Sequence, residues 1–127
     1  MCPARRVAAR RGGRTWFYLF SALPAPGPVA ARHGAFHGAD VRVLFDAEMG
    51  VPLGEAASRA GDAMRRYWVR FAEAGDPNPP GLPEWPVYRT TRPRHLDIGD
   101  PVRTVDDLDR PVCRIFDEAW EPRGAQR

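Results

Sequence analysis

Residues 15–21 read Thr15-Trp16-Phe17-Tyr18-Leu19-Phe20-Ser21, a continuous apolar run rich in aromatics. The run does not alternate between apolar and polar residues. That is the pattern of a strand buried on both faces, as in the parallel sheet of an α/β fold. It stops at Leu23-Pro24-Ala25-Pro26-Gly27-Pro28, where three prolines in five residues forbid a helix or a central strand. The next informative stretch is HGAFHGADVRVLFD, from His33 to Asp46. Gly34 and Gly38 each follow a histidine and let the backbone turn sharply there. Val41–Phe45 fits either a short strand or a single helical turn.

Further along, residues 53–74 carry the clearest helical signal. Leu53, Ala57, Ala60, Met64, Tyr67, Trp68 and Phe71 recur at three- and four-residue steps and make one apolar stripe. Trp68 and Phe71 are read as core. Arg59, Asp62, Arg66 and Arg70 fall largely opposite. Pro52 stands before the pattern, and Gly75-Asp76-Pro77 stops it. Residues 76–88 hold five prolines in thirteen positions and read as a loop, with Trp85 and Tyr88 available to pin it. Residues 94–98 and 102–105 read as two short strands separated by the turn signal Gly99-Asp100-Pro101. Residues 110–120 read as a terminal helix, with Asp109 as its N-cap and Cys113, Phe116 and Trp120 on its buried side.

Upstream of the aromatic run, residues 1–14 are basic, small and Gly-tipped. They read as a helix end or tail, with Val7–Arg11 as a last turn and Gly12-Gly13 as the stop. The chain thus divides into a basic segment 1–14, a body 15–120 and a tail 121–127.

At 127 residues the chain has the length of one ordinary domain. Its 43% hydrophobic and 28% charged residues describe a globular rather than a disordered composition. No apolar run approaches the roughly 18 residues of a membrane span. Without an apolar stretch behind the N-terminal arginines, no secretory signal is expected, and the default localisation is cytoplasmic. Every basic residue is arginine, which reflects a GC-rich coding bias rather than selection for phosphate binding. Residues 1–36 contain six arginines and no acid, whereas the remainder is net acidic, so this is not a basic domain. Cys2 and Cys113 stand far apart and read as free thiols in a reducing compartment.

Chemistry concentrates on His37. It sits in a Gly-rich loop after a strand, where reactive groups of α/β sheets collect, and its ring suits a general base. A satisfied loop histidine is the alternative from the residues alone. Gly34-Ala35-Phe36-His37-Gly38-Ala39-Asp40 resembles the catalytic-histidine loop of the type-B carboxylesterase/lipase family, the cholinesterase-like α/β hydrolases, with its G-x-x-H-G-x-[ED] segment. Met64–Ala72 running into Gly75-Asp76-Pro77-Asn78, then Leu82–Tyr88, His95–Gly99 and Cys113–Asp117, are similar to the family's later segments in the same order. The resemblance spans roughly residues 12–120 and implies an α/β chain. It would be the C-terminal part of an α/β-hydrolase fold, with the last strands of the sheet, the catalytic-histidine loop, a long amphipathic helix and a terminal helix.

The resemblance also implies ester hydrolysis by a Ser–His–acid triad without cofactor or metal. Only His37 carries over, as general base and acid. Gly38 and Asp40 are expected to support its loop. Phe36 stands where His33 would need an acid, so His33 is read as a loop residue. In α/β hydrolases the nucleophile and the acid precede the histidine. The chain's two serines, Ser21 and Ser58, lack the glycines of a G-x-S-x-G elbow, and no Asp or Glu precedes Asp40. The expectation is a fragment that carries the base, lacks nucleophile and acid, and is inactive alone. Its partner would be an N-terminal esterase segment, with a small carboxylic ester as substrate of the whole, and neither nucleic acid nor membrane. The competing reading is a non-catalytic binding module that uses the Arg-rich N-terminus on an anionic partner.

Overall fold

The computed structural model describes residues 2–23, 27, 32–47, 52–106 and 110–119. The elements run α1 (Cys2–Arg10), β1 (Tyr18–Phe20), α2 (Ala39–Leu44), α3 (Glu55–Ala74), β2 (Arg94–Ile98), β3 (Arg103–Asp106) and α4 (Arg110–Ala119). The three strands lie in the order β1-β2-β3. β1 pairs with β2 in parallel, Tyr18 opposite Leu96 and Phe20 opposite Ile98. β2 and β3 form an antiparallel pair, with Asp97 opposite Arg103.

The apolar stripe of α3 does what its spacing predicts. Ala57, Ala60, Met64 and Tyr67 are buried and join Leu96, Ile98 and Trp85 in one core. Gly75 ends the helix in the left-handed region at φ 65°, and its N–H donates to the Phe71 carbonyl at 2.8 Å. α3 also approaches α2 closely. A Cβ on Gly61 would lie 2.7 Å from the Val43 carbonyl oxygen. Arg65 Nη1 then donates to the Val43 and Leu44 carbonyls at 3.2 and 3.1 Å, satisfying groups that a helix C-terminus leaves open.

The Pro-rich loop is held by side chains rather than by a ladder. Trp85 Nε1 donates to the Phe17 carbonyl at 2.9 Å, Tyr67 Oη to that of Pro83 at 2.6 Å, and Asn78 bonds both ways with the Trp85 backbone. The Asn78 N–H and amide on Asp76, with Arg14 beyond them, hold the Asp76 carboxyl below its ordinary range. On the sheet, Asp97 is buried between the Ser21 hydroxyl and Arg103 Nε, which donates at 3.1 Å.

Several expectations from sequence are corrected. Cys2 and Cys113 are not free thiols. They form a disulfide that joins α1 to α4, with Cα atoms 5.2 Å apart, so the thiol argument for a reducing compartment lapses. Chain separation in sequence did not reveal that two terminal helices meet. The strand at 15–21 is shorter, Tyr18–Phe20, and half-buried rather than dry on both faces, because it is a sheet edge among the described residues. Phe71 is 49% exposed; near the end of α3 it rests edge-on against Trp16, 5.5 Å between rings, instead of entering the core. Val41–Phe45 resolves into helix, Val41–Leu44 belonging to α2. Asp109 and Trp120 lie outside the described residues.

Candidate functional site

β1 carries the chain to the end of the sheet, and the chain returns as the turn that holds His37. Two local hydrogen bonds shape that turn. The Phe36 N–H donates to the Gly34 carbonyl at 3.1 Å, and the Ala39 N–H to that of Phe36 at 3.0 Å. Gly38 sits at φ 82°, a conformation costly for any residue with a Cβ, and the chain enters α2 directly after it. The histidine is therefore presented on the outer side of a tight turn. His37 and Phe36 are both exposed.

His37 opens on a cleft of about 560 Å³ shared by Trp16, Tyr18 and Phe20 of the aromatic run and by Phe36 and Asp40. Tyr18 reaches across it. Its hydroxyl donates to Asp40 Oδ2 at 2.9 Å. Burial of the phenol, then that bond and the negative charge of Asp40, push the Tyr18 pKa up to about 12. Sequence reasoning singled out His37, Gly38 and Asp40, and all three line the cleft beside β1. It missed Tyr18, whose only signal is a hydroxyl inside an otherwise apolar strand.

His33, read from sequence as a loop residue, is instead helical together with Arg32; it is exposed, four residues upstream of His37. Ser21 has its hydroxyl committed to Asp97. Ser58 lies exposed on α3. Among the described residues no group of three His, Cys, Asp or Glu side chains is gathered for a metal ion. The described helices also include none long and apolar enough to cross a membrane.

A second cleft, about 430 Å³, opens against β1 between Trp16, Trp68, Phe71 and Trp85. At its margin Arg14 lies over the Trp16 ring, 4.7 Å from its centroid, and pairs with Asp76. Trp16 Nε1 and Thr15 Oγ1 are buried here without a hydrogen-bond partner among the described residues.

A mixed sheet with a histidine turn following a parallel strand in the chain fits an α/β hydrolase, and the comparisons agree. The structure resembles that of an esterase from anaerobic Clostridium hathewayi that can hydrolyze aliphatic aromatic polyesters. The match has a TM-score of 0.68 and 25% identity, and covers 85% of this chain and 22% of that one. In sequence, the chain is 33% identical to the bile salt-activated lipase of Rattus norvegicus over 111 residues, 83% of this chain and 18% of the lipase. It is 25% identical to the acetylcholinesterase of Bungarus fasciatus, over 91% of this chain and 20% of that enzyme. Residues 1–116 match the Carboxylesterase family, and the chain belongs to it. It spans about a fifth of the length of these relatives.

Proposed function

We propose that this chain supplies the histidine of a serine carboxylesterase whose nucleophile and acid lie on polypeptide outside these 127 residues. His37 is the general base. It takes the proton of the attacking serine and returns it to the leaving alcohol, while an acid from elsewhere orients the ring and stabilises the imidazolium. The observation that carries this reading is the placement of His37, exposed on a tight turn beyond β1 and facing a cleft beside that strand. Gly38 shapes the turn and Asp40 anchors it. The substrate class is a carboxylic ester, and acyl and alcohol selectivity belong to the polypeptide that carries the nucleophile.

The partner in this reading is an N-terminal esterase segment that adds to the sheet along β1. The Ser21 N–H and the Phe17 carbonyl bond to β2, so alternation turns the backbone groups of Tyr18 and Phe20 toward the open edge. Clefts beside β1 support a neighbour there. Less supports an anionic partner on residues 1–14. Arg14 is paired with Asp76, Arg5 and Arg6 are engaged within the protein, and Cys2 ties the segment to α4.

The test is hydrolysis of a p-nitrophenyl ester by the chain alone and by the chain co-expressed with an upstream segment containing a G-x-S-x-G elbow. Alone, it should show no saturable turnover above free imidazole. Loss of the nucleophile costs about 10⁶-fold in kcat in the best-studied triad. The complex should hydrolyse the ester, and His37→Ala should abolish that. Robust, saturable activity of the chain alone, lost in H37A, would show the proposal to be wrong.

A further inference from the structure

Asp40 stands three residues beyond His37, and the two side chains line the same cleft. A carboxylate that close to a histidine by chain connection has an obvious alternative partner. By swinging onto the imidazole it would pair with the ring, favour its protonated form and occupy the N–H that a triad acid must hold. The structure holds the carboxylate elsewhere. Tyr18 donates its hydroxyl to Asp40 Oδ2 at 2.9 Å. Tyr18 cannot easily follow a moving carboxylate, because its ring is wedged edge-on against Trp68 and Trp85, with centroids 5.3 and 5.8 Å away. Among the described residues no other titratable group joins these three along the cleft. β1 contributes Tyr18, α2 contributes Asp40, the turn contributes His37, and α1 contributes only Ala4.

We propose that Tyr18 is a positioning residue that ties the Asp40 carboxylate to β1 and keeps it off the His37 ring, leaving the imidazole for an acid from elsewhere. The functional meaning rests on His37 being the general base. The physical claim, that Tyr18 keeps a carboxylate away from an imidazole, does not.

The test is an NMR titration of the His37 ring in the full chain with labelled histidine, kept dilute, its signals assigned by their loss in H37Q. In Asp40→Asn the His37 midpoint should move by less than about 0.2 pH unit, because the carboxylate is already held away. In Tyr18→Phe the freed carboxylate should raise the midpoint by about 0.5–1 unit, and the Y18F/D40N double variant should return it to the starting value. An unchanged midpoint in Y18F overturns the proposal, as does a raised midpoint that the double variant fails to restore. So does a fall of about 0.5 unit or more in D40N, which would mean that Asp40 already pairs with the ring. Asparagine still accepts from the Tyr18 hydroxyl, so the D40N arm can still overturn the proposal even if Y18F does not fold. The titration needs no turnover. Failure of ester hydrolysis by the co-expressed complex would therefore leave this result intact, and the converse also holds.

Discussion

Two tyrosines show how burial leads in setting the chemistry of a side chain. Burial pushes the Tyr67 pKa up to about 12, and it is the first cause of the rise to about 12 at Tyr18. The ordinary value is 10.0 for both. Below pH 10 each phenol keeps its proton in folded and unfolded chains alike, so the stability they carry is intact there. Between about pH 10 and 12 the unfolded chain ionises first, and stability falls as pH rises. We expect unfolding to become progressively easier across that window, read by denaturant midpoints at each pH. Tyrosinate absorbance should rise together with the loss of far-UV dichroism. Tyr67→Phe should flatten the alkaline slope. It should also cost about 1 kcal/mol at neutral pH, because the Pro83 carbonyl loses its donor. A slope identical to that of the unaltered chain would remove Tyr67 from the account. Residues of this kind were half-legible in the sequence. The stripe through Ala60, Met64 and Tyr67 announced burial by its local period, but nothing near Tyr67 in the chain announced Pro83 as its acceptor.

Among the elements, α1 and α4 depend on each other. Each is short and largely exposed, and an isolated helix of about ten residues is marginal in water. Their mutual contact is closed by the Cys2–Cys113 bond, across a sequence separation of 111 residues. In the chain-entropy account, cross-linking so long a loop stabilises by about 3–5 kcal/mol. We expect reduction, or the C2S/C113S pair, to lower the denaturant midpoint by an amount in that range and to release α1 first. Hydrogen exchange along residues 2–10 would read that release. A non-reduced digest should contain the Cys2 and Cys113 peptides joined. Two separate peptides would show the thiols to be free. The histidine turn follows the opposite logic. Gly34 and Gly38 are local features, so the bend was readable from sequence, whereas the helix after it, left open against a strand, and the Tyr18 bond that steadies Asp40 were not.

At the scale of the molecule, the three-stranded sheet of the described residues ends on an aromatic strand. Among the described residues β1 is an edge of the sheet, and the aromatic clefts beside it are lined by Trp16, Tyr18, Trp68 and Trp85. Unpaired edges and wet apolar surface favour association with whatever strand is available. We expect the chain alone to self-associate with rising concentration, seen as a concentration-dependent sedimentation coefficient. Co-expression with the upstream segment should replace that behaviour with a discrete complex. A sharp two-state melt from a concentration-independent monomer would count against it. The core between α3 and β2 takes in Trp85 of the Pro-rich loop and Val43 of α2, the helix that follows the histidine turn.

The sequence by itself determined what depends on near neighbours. The period of α3, the Gly75 stop, the turn between β2 and β3 and the bend at His37 each follow from residues a few positions apart, where backbone geometry leaves few choices. Tertiary structure decided everything that joins distant points of the chain. It set the parallel pairing of Tyr18 with Leu96, the joining of Cys2 to Cys113, the bond from Tyr18 to Asp40 and the exposure of Phe71. No local pattern encodes these, because each depends on which surfaces meet once the apolar stripe of α3 has found the sheet.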